Sequence, residues 1–326
     1  MTKAIRMHAR GGPEVLQWEE VDVGNPGPHE IRIKQEAVGL NFVDIYQRTG
    51  LYYKNDPLPL TLGTEGAGMI DAVGSEVQEF KPGDRVAYAS APLGAYAEVR
   101  LMPSDRVVLL PDWCSSQLAA SMMLQGMTAH YLIHDTFRAE KNHVILLHAA
   151  AGGVGQILTQ WAKAKGATVI GTVGSDAKAE KIRKLGADHT IVYTREDFVA
   201  RVKEITNGKG VDVVYDSVGQ TTFMGSLDCL KPRGLMVSFG QSSGAVSAFE
   251  PVILSAKGSL FLARPSLSHY TANREELLHR AQDLFDAIKT RKITIENSTT
   301  FALKDAANAH RALESRKTTG SIVLVV

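Results

Sequence analysis

Cysteine is nearly missing from this chain: two residues, Cys114 and Cys229, stand far apart among 326. They cannot build a disulfide framework or a multi-cysteine metal site, so a reducing cytoplasm is the expected compartment. Both are expected to be small buried apolar residues, not reactive thiols. No apolar run reaches the length that spans a bilayer, and no membrane is expected as a partner. Met1–Glu14 holds no continuous apolar segment, so a secretory signal is not expected either. Charge of one sign is also lacking. The 36 basic and 35 acidic residues leave a net charge of +1, which gives no electrostatic reason to expect nucleic acid. Internal repeats and low-complexity tracts are absent. What remains is an ordinary globular composition, 44% hydrophobic and 22% charged, in a chain long enough for two domains.

The first hundred or so residues read as short strands punctuated by glycine and proline. Ile31-Arg-Ile-Lys alternates apolar and charged like a half-buried strand. Asp71–Ser75 and Lys81–Val86 read as turns feeding strands. The grammar changes near Lys141. His143–His148 is a buried strand, followed by a glycine cluster and a helical stretch, Gln156–Lys165. Ala167–Val173 is a second strand, and Asp176–Leu185 a helix stopped by Gly186. His189–Tyr193, Val211–Asp216, Leu235–Phe239 and Ser259–Ala263 complete six strands with helices between them. That alternation predicts an α/β fold with a doubly wound parallel sheet beside a β-rich domain. A long helix over Arg274–Lys289 follows, and Ser321–Val326 is strand-like.

Ala149–Gly155 lies directly after a strand and opens a helix. Set against G-x-G-x-x-G it has Ala150 in place of the first glycine, then Gly152 and Gly155. Gly152 would let backbone approach a pyrophosphate, and Gly155 would let the helix pack on the strand. The helix amino terminus then offers free N–H groups to phosphate. The bland alternative is a glycine-rich turn that merely packs well; the strand before and helix after favour a dinucleotide. An acidic residue ending the second strand would select NADH. Here that strand ends at Gly174, and Ser175 and Lys178 can receive a 2′-phosphate, which favours NADPH. Asp176 lies about twenty residues past the fingerprint, but it also suits the first turn of the next helix. His148, which flanks the fingerprint, is expected to be structural.

These residues, with Gly11–Leu16, Asn41–Tyr46, Gly50–Tyr52, Leu62–Gly68, Gly94–Tyr96, Tyr215–Gly219, Ser238–Gly244 and Arg264–Ser266, run through nearly the whole chain. They resemble the zeta-crystallin-like quinone oxidoreductases of the medium-chain dehydrogenase/reductase superfamily, especially the bacterial type. The resemblance implies a GroES-like catalytic domain over residues 1–125 and 265–326, and a Rossmann domain over 126–264 with NADPH in the cleft between them. By motif match, Asn41, Phe42, Asp44, Tyr46 and Thr128 line the nicotinamide end, and Gly152, Gly153 and Val154 the pyrophosphate. Gly174, Ser175, Lys178 and Tyr193 hold the adenosine phosphate. Ser217, Phe239, Gly240, Ser242, Phe261 and Arg264 also border the cofactor. Zinc-dependent relatives hold their metal with Cys, His and Cys where this chain has Asn41, Thr64 and Gln125, so no metal is expected.

Without a Lewis acid the acceptor must already be electrophilic, and a quinone fits, because its reduced ring stabilises its own anion. The protein then needs mainly to position the reactants in a water-poor cleft. Asn41, Tyr46 and Tyr52 are the candidate catalytic residues, by stacking or a hydrogen bond. One alternative is reduction of an activated C=C bond in an enone, alkenal or enoyl substrate, in which a tyrosine would donate a proton. Another is the crystallin-like or RNA-binding role found among zeta-crystallins, although no cluster of basic and aromatic residues supports RNA. Ser259–Ala263 would be an apolar sheet edge, through which a homodimer is expected.

Overall fold

The computed structural model describes residues 1–326 except Tyr53 and Asn297. The chain divides into two compact units, one formed by residues 1–127, 271–285 and 295–326, the other by 128–270 and 286–294. The first is β-rich. Its long strand Glu30–Leu40 begins with Ile31 and Ile33 buried, then turns buried on consecutive positions from Ala37 to Leu40 as the sheet is covered on both faces. Strand order in the larger sheet is Thr299–Ala302, Ile322–Val325, Glu30–Leu40, Glu65–Val73, Arg85–Ala89, Val108–Leu109. Val99–Pro103 also pairs with Glu30–Leu40. A small sheet of Leu16–Val21, Thr2–Met7 and Leu60–Thr61 completes the unit. Met7, Ile33, Leu62, Tyr96, Ile322 and Leu324 meet in one core, so segments from both ends of the chain contribute to it.

A short helix, Phe42–Thr49, leaves the end of Glu30–Leu40. Asp44 Oδ2 accepts from the Asn41 N–H at 2.9 Å, which satisfies a donor at the helix start. Gly50, with φ 79°, ends the helix in the left-handed region where glycine is favoured.

The second unit is a six-stranded parallel sheet in the order His189–Val192, Thr168–Val173, Val144–Leu147, Val211–Asp216, Leu230–Ser238, Phe261–Ala263. The order reverses direction beside Val144–Leu147, so a crevice opens at its carboxyl end, the position where open α/β sheets take their ligands. Two strands of this sheet differ from their sequence reading by more than one residue at an end. Ser259 has φ 54° and Leu260 turns into the core, which leaves only Phe261–Ala263 on the edge. Leu230–Ser238 starts five residues early, with a register irregularity against Val211–Val213.

The helix Gly153–Ala164 lies so close to the preceding turn that Gly155 has no room for a side chain. A Cβ there would meet the carbonyl oxygens of Ala150 and Ala149 at 2.5 and 2.6 Å. Both are backbone atoms and cannot rotate aside. Gly155→Ala is therefore expected to destabilise the protein by about 1–3 kcal/mol, as overpacking does, read from urea denaturation. An unchanged midpoint would show that the turn yields freely.

Candidate active site

In the second unit the amino end of the helix Gly153–Ala164 starts at Gly152, and no side chain caps it. Gly152 is exposed and Gly153 and Val154 are half-exposed, so the first-turn N–H groups are open to a ligand. A cradle of this kind, with no room for a Cβ at Gly155, fits a dinucleotide diphosphate.

The two flanks of the cradle are held by different means. At the end of Thr168–Val173, Ser175 is the N-cap of Asp176–Lys184, its Oγ accepting from the Lys178 N–H. The Tyr193 hydroxyl lies 2.9 Å from where a Cβ on Gly174 would stand. Gly174, Ser175, Lys178 and Tyr193 are thus brought together, and burial lowers the Lys178 pKa. Asp176 heads the helix and forms a bidentate ion pair with Arg195, both contacts at 2.5 Å. Sequence reasoning noticed Asp176 but not Arg195, which reaches it only because the two strands run side by side.

On the other flank Asp216 is fully buried, and its carboxylate accepts from the N–H groups of Val218 and Gly219 and from Thr222 and Ser226. That set shapes the loop carrying Ser217. Ser242 N–H donates to the Ser217 carbonyl, and a Cβ on Gly240 would stand 2.7 Å from that same oxygen. Arg264 donates to the Ser238 carbonyl at 2.6 Å. Ser217, Phe239, Gly240, Ser242 and Arg264 therefore form one cluster, whereas Phe261 is 60% exposed on the edge strand. His148 sits between Thr172 and Ser226, with ring nitrogens 2.9 and 3.0 Å from their hydroxyls. Ser226 donates to Asp216, so His148 Nε2 carries the proton given to Ser226. Burial lowers the pKa of the imidazole, a neutral structural residue. Thr128 is buried on the helix Met123–Tyr131.

The first unit gathers Asn41, Phe42, Asp44, Tyr46 and Tyr52 around Phe42–Thr49. Tyr46 and Tyr52 meet edge to face with centroids 5.2 Å apart, and Phe42 lies 6.3 Å from Tyr46. The Tyr52 N–H donates to the Tyr46 carbonyl. Asp44 is fully buried, and burial pushes its pKa up to about 7. One of its oxygens, Oδ1, has no hydrogen-bond partner among the described residues, while Oδ2 also accepts from Tyr96 at 3.0 Å. Behind Tyr96 stands His310, 3.0 Å from the hydroxyl, and behind His310 stands Arg48 at 2.9 Å. Arg48 can only donate, so His310 accepts at Nδ1 and donates from Nε2 to Tyr96. Burial and the Arg48 charge push the His310 pKa down to about 3. Arg48 is itself buried and pairs with Glu314 at 2.6 Å.

Asn41, Thr64 and Gln125 are all buried, as is Glu65. Asn41 Nδ2 and Glu65 Oε2 are 2.6 Å apart, Gln125 Nε2 and Asn41 Oδ1 3.1 Å, and Ser321 Oγ and Gln125 Oε1 2.7 Å. The Leu124 N–H donates to the other Glu65 oxygen at 2.8 Å. Two amides already tied to each other and to a carboxyl, with a threonine hydroxyl, do not fit a zinc ion, which takes thiolate, imidazole or carboxylate ligands. Tyr96, Arg48, His310, Glu65 and Ser321 escaped the sequence reading. Glu65 and Tyr96 left a sign there only as members of the matching stretches Leu62–Gly68 and Gly94–Tyr96.

Residues 27–112 match the alcohol dehydrogenase GroES-like domain family, and residues 153–285 the zinc-binding dehydrogenase family. The chain is 50% identical to a quinone oxidoreductase of Pseudomonas aeruginosa over 325 residues, covering 100% of both. It is 45% identical to a 2-haloacrylate reductase from a Burkholderia species, covering 100% of this chain and 99% of the other. The structure of the Escherichia coli quinone oxidoreductase complexed with NADPH matches with a TM-score of 0.97 at 48% identity, covering 99% of this chain and 100% of that one.

Proposed function

Given that the chain belongs to the quinone oxidoreductase family of the medium-chain dehydrogenase/reductase superfamily, we propose that it passes reducing equivalents from NADPH to quinones without zinc. The observation that carries this reading is the closed contact chain Ser321–Gln125–Asn41–Glu65. Its members are committed to one another, so nothing in it can serve as a Lewis-acid site that polarises an alcohol or carbonyl oxygen. The acceptor must therefore be electron-poor from the start, and quinones are.

The relative solved with NADPH supports the cofactor, as does the uncapped helix start at Gly152. NADPH supplies the hydride. The chain's own residues do the rest: the turn Gly152–Val154 receives the diphosphate, and Gly174, Ser175, Lys178 and Tyr193 receive the adenosine phosphate. Ser217, Phe239, Gly240, Ser242, Phe261 and Arg264 border the nucleotide, and Asn41, Phe42, Asp44, Tyr46 and Thr128 its nicotinamide end. Tyr46 and Tyr52 offer the acceptor an edge-to-face aromatic wall. A second reading, reduction of an activated C=C bond, is supported by the 2-haloacrylate reductase relative. There Tyr52 would have to deliver a proton to carbon.

No described helix is long and apolar enough to cross a membrane, and the two cysteines are free and buried, which supports a cytoplasmic location. The edge strand Phe261–Ala263, with Phe261 and Leu262 exposed, supports a homodimer formed by pairing with the same strand of a second copy.

Tyr52→Phe is expected to keep quinone turnover within about tenfold, whereas a proton donor to carbon contributes roughly 10²–10⁴-fold. Parallel assays of wild type and variant on quinones and haloacrylate-type enoates separate the two readings. Arg195→Ala should free the Asp176 carboxylate to favour ribose over 2′-phosphate, shifting the NADPH:NADH affinity ratio toward NADH by about tenfold. Fluorescence titration with both nucleotides reads this shift, and an unchanged ratio would refute it. Gel filtration across a dilution series is expected to show a dimer; a monomer at every concentration removes the edge-strand pairing.

A further inference from the structure

The hydroxyl of Ser321 has one proton and faces two acceptors. Its Oγ lies 2.6 Å from the Ser121 carbonyl oxygen and 2.7 Å from the Gln125 amide oxygen, and all of these atoms are buried. A single proton cannot serve both contacts. The oxygen and nitrogen of an amide are told apart only by the hydrogen bonds around them, so turning the Gln125 amide removes the conflict. Its NH₂ then donates to Ser321 Oγ, and Ser321 keeps its proton for Ser121. The turn propagates. The Gln125 oxygen now faces Asn41, which must present its own NH₂ across that 3.1 Å contact. The Asn41 oxygen is left facing Glu65 Oε2 across 2.6 Å. Two oxygens that close need a proton between them, and at this contact the Glu65 carboxyl supplies it, since an amide oxygen carries none.

We propose that Glu65 rests as a neutral carboxylic acid whose proton sets the direction of the Asn41–Gln125–Ser321 chain, which makes Glu65 a positioning residue for Asn41. Every polar atom of the chain then has a matching partner: Glu65 donates to Asn41, Asn41 to Gln125, Gln125 to Ser321, and Ser321 to the Ser121 carbonyl. The second Glu65 oxygen accepts from the Leu124 N–H. The surroundings favour the neutral form. Among the described residues no lysine, arginine or histidine hydrogen-bonds to Glu65, and the titratable groups acting on it or feeling its charge are Asp44, Tyr88 and Tyr96. Burial pushes the Glu65 pKa up to about 8, and the Asp44 charge adds to the effect. Arg100 stacks over Tyr88, and Arg48 reaches His310 behind Tyr96.

Ionisation reverses the chain. A Glu65 carboxylate takes the Asn41 NH₂, Gln125 turns with it, and Ser321 must give up one of its acceptors. Asn41 thus exposes its spare N–H on the Gln125 side when Glu65 is neutral and on the Glu65 side when it is charged. The use of that N–H at the nicotinamide rests on the function proposed above; the protonation state of Glu65 does not, and it is measurable on nucleotide-free protein. The sign for stability follows from proton counts. Between the unfolded carboxyl pKa, about 4, and the folded value near 8, the native state holds more protons than the unfolded chain, so stability falls as pH rises through that window.

Infrared difference spectra of the nucleotide-free wild type, in H₂O and D₂O, test this. A neutral-carboxyl C=O band that shifts in D₂O is expected at about pH 6 and is lost above about pH 9. In Asp44→Asn, which removes the other buried acid, the band should persist at about pH 6 and titrate out near pH 8, whereas in Glu65→Gln only the Asp44 part, lost near pH 7, should remain. Glu65→Gln should also flatten the fall in urea stability between about pH 5 and 8, because an amide N–H donates to Asn41 as the acid does. Absence of the band from wild type at about pH 6, or a band in Glu65→Gln that titrates out near pH 8 as in wild type, overturns the assignment. Loss of the band in Asp44→Asn alone does so as well, and this arm stands even if Glu65→Gln fails to fold.

Discussion

Two carboxyl groups withdrawn from water govern the polar set around the helix Phe42–Thr49 of the first unit. Glu65 and Asp44 are both buried, and the charge of Asp44 raises the pKa of Glu65. Among the described residues neither has a basic hydrogen-bond partner to neutralise it, so each must be matched by neutral donors or take up a proton. The surrounding residues answer that demand. Asp44 is met by the Asn41 N–H and by Tyr96, whose hydroxyl is oriented in turn by His310 and Arg48. Glu65 is met by the Leu124 N–H and by Asn41. The helix Phe42–Thr49 links the two sets, because Asn41 precedes it and Asp44 lies in its first turn. The short aromatic wall of Tyr46 and Tyr52 is thereby mounted on a helix pinned from below at several points, and a rigid support of this kind is what positioning requires.

The second unit solves a different problem with backbone instead of side chains. The helix start at Gly152 has no side-chain cap, so its N–H groups are kept open, and the turn is drawn tight by the absence of a Cβ at Gly155. Charge enters only at the periphery. Asp176, which would act against a phosphate, is already matched by Arg195 at the surface. The buried charge of Asp216 is spent on shaping the Ser217–Gly219 loop through two N–H groups and two hydroxyls.

Much of this was readable from residues alone, because it is local. Periodicity and glycine placement located the six parallel strands, and the strand–turn–helix grammar located Gly152–Gly155. Shortfalls arose where the determinant was distant in sequence. Ser259 looked like part of a strand by its neighbours, yet it turns to φ 54° so that Leu260 can reach the core. Arg195 is nineteen residues from Asp176, and no pattern joins them; parallel pairing of Thr168–Val173 with His189–Val192 does. Ser321 is 196 residues from Gln125, so its place at the end of the polar chain depends wholly on which strand Ile322–Val325 joins. The amide contacts of Asn41 and Gln125 were not legible, since hydrogen-bond direction is a property of the assembled set.

The strand Ile322–Val325 lies inside the larger sheet of the first unit, between Thr299–Ala302 and Glu30–Leu40, and Ser321 comes with it. During synthesis the amino-terminal strands therefore leave the ribosome long before the neighbour that covers Glu30–Leu40. The parallel sheet, confined to residues 144–263, has all its strands available earlier. The usual order, amino-terminal domain first, is inverted: the second unit's sheet can form on the nascent chain, and the first unit waits with an open seam until Ile322–Val325 emerges.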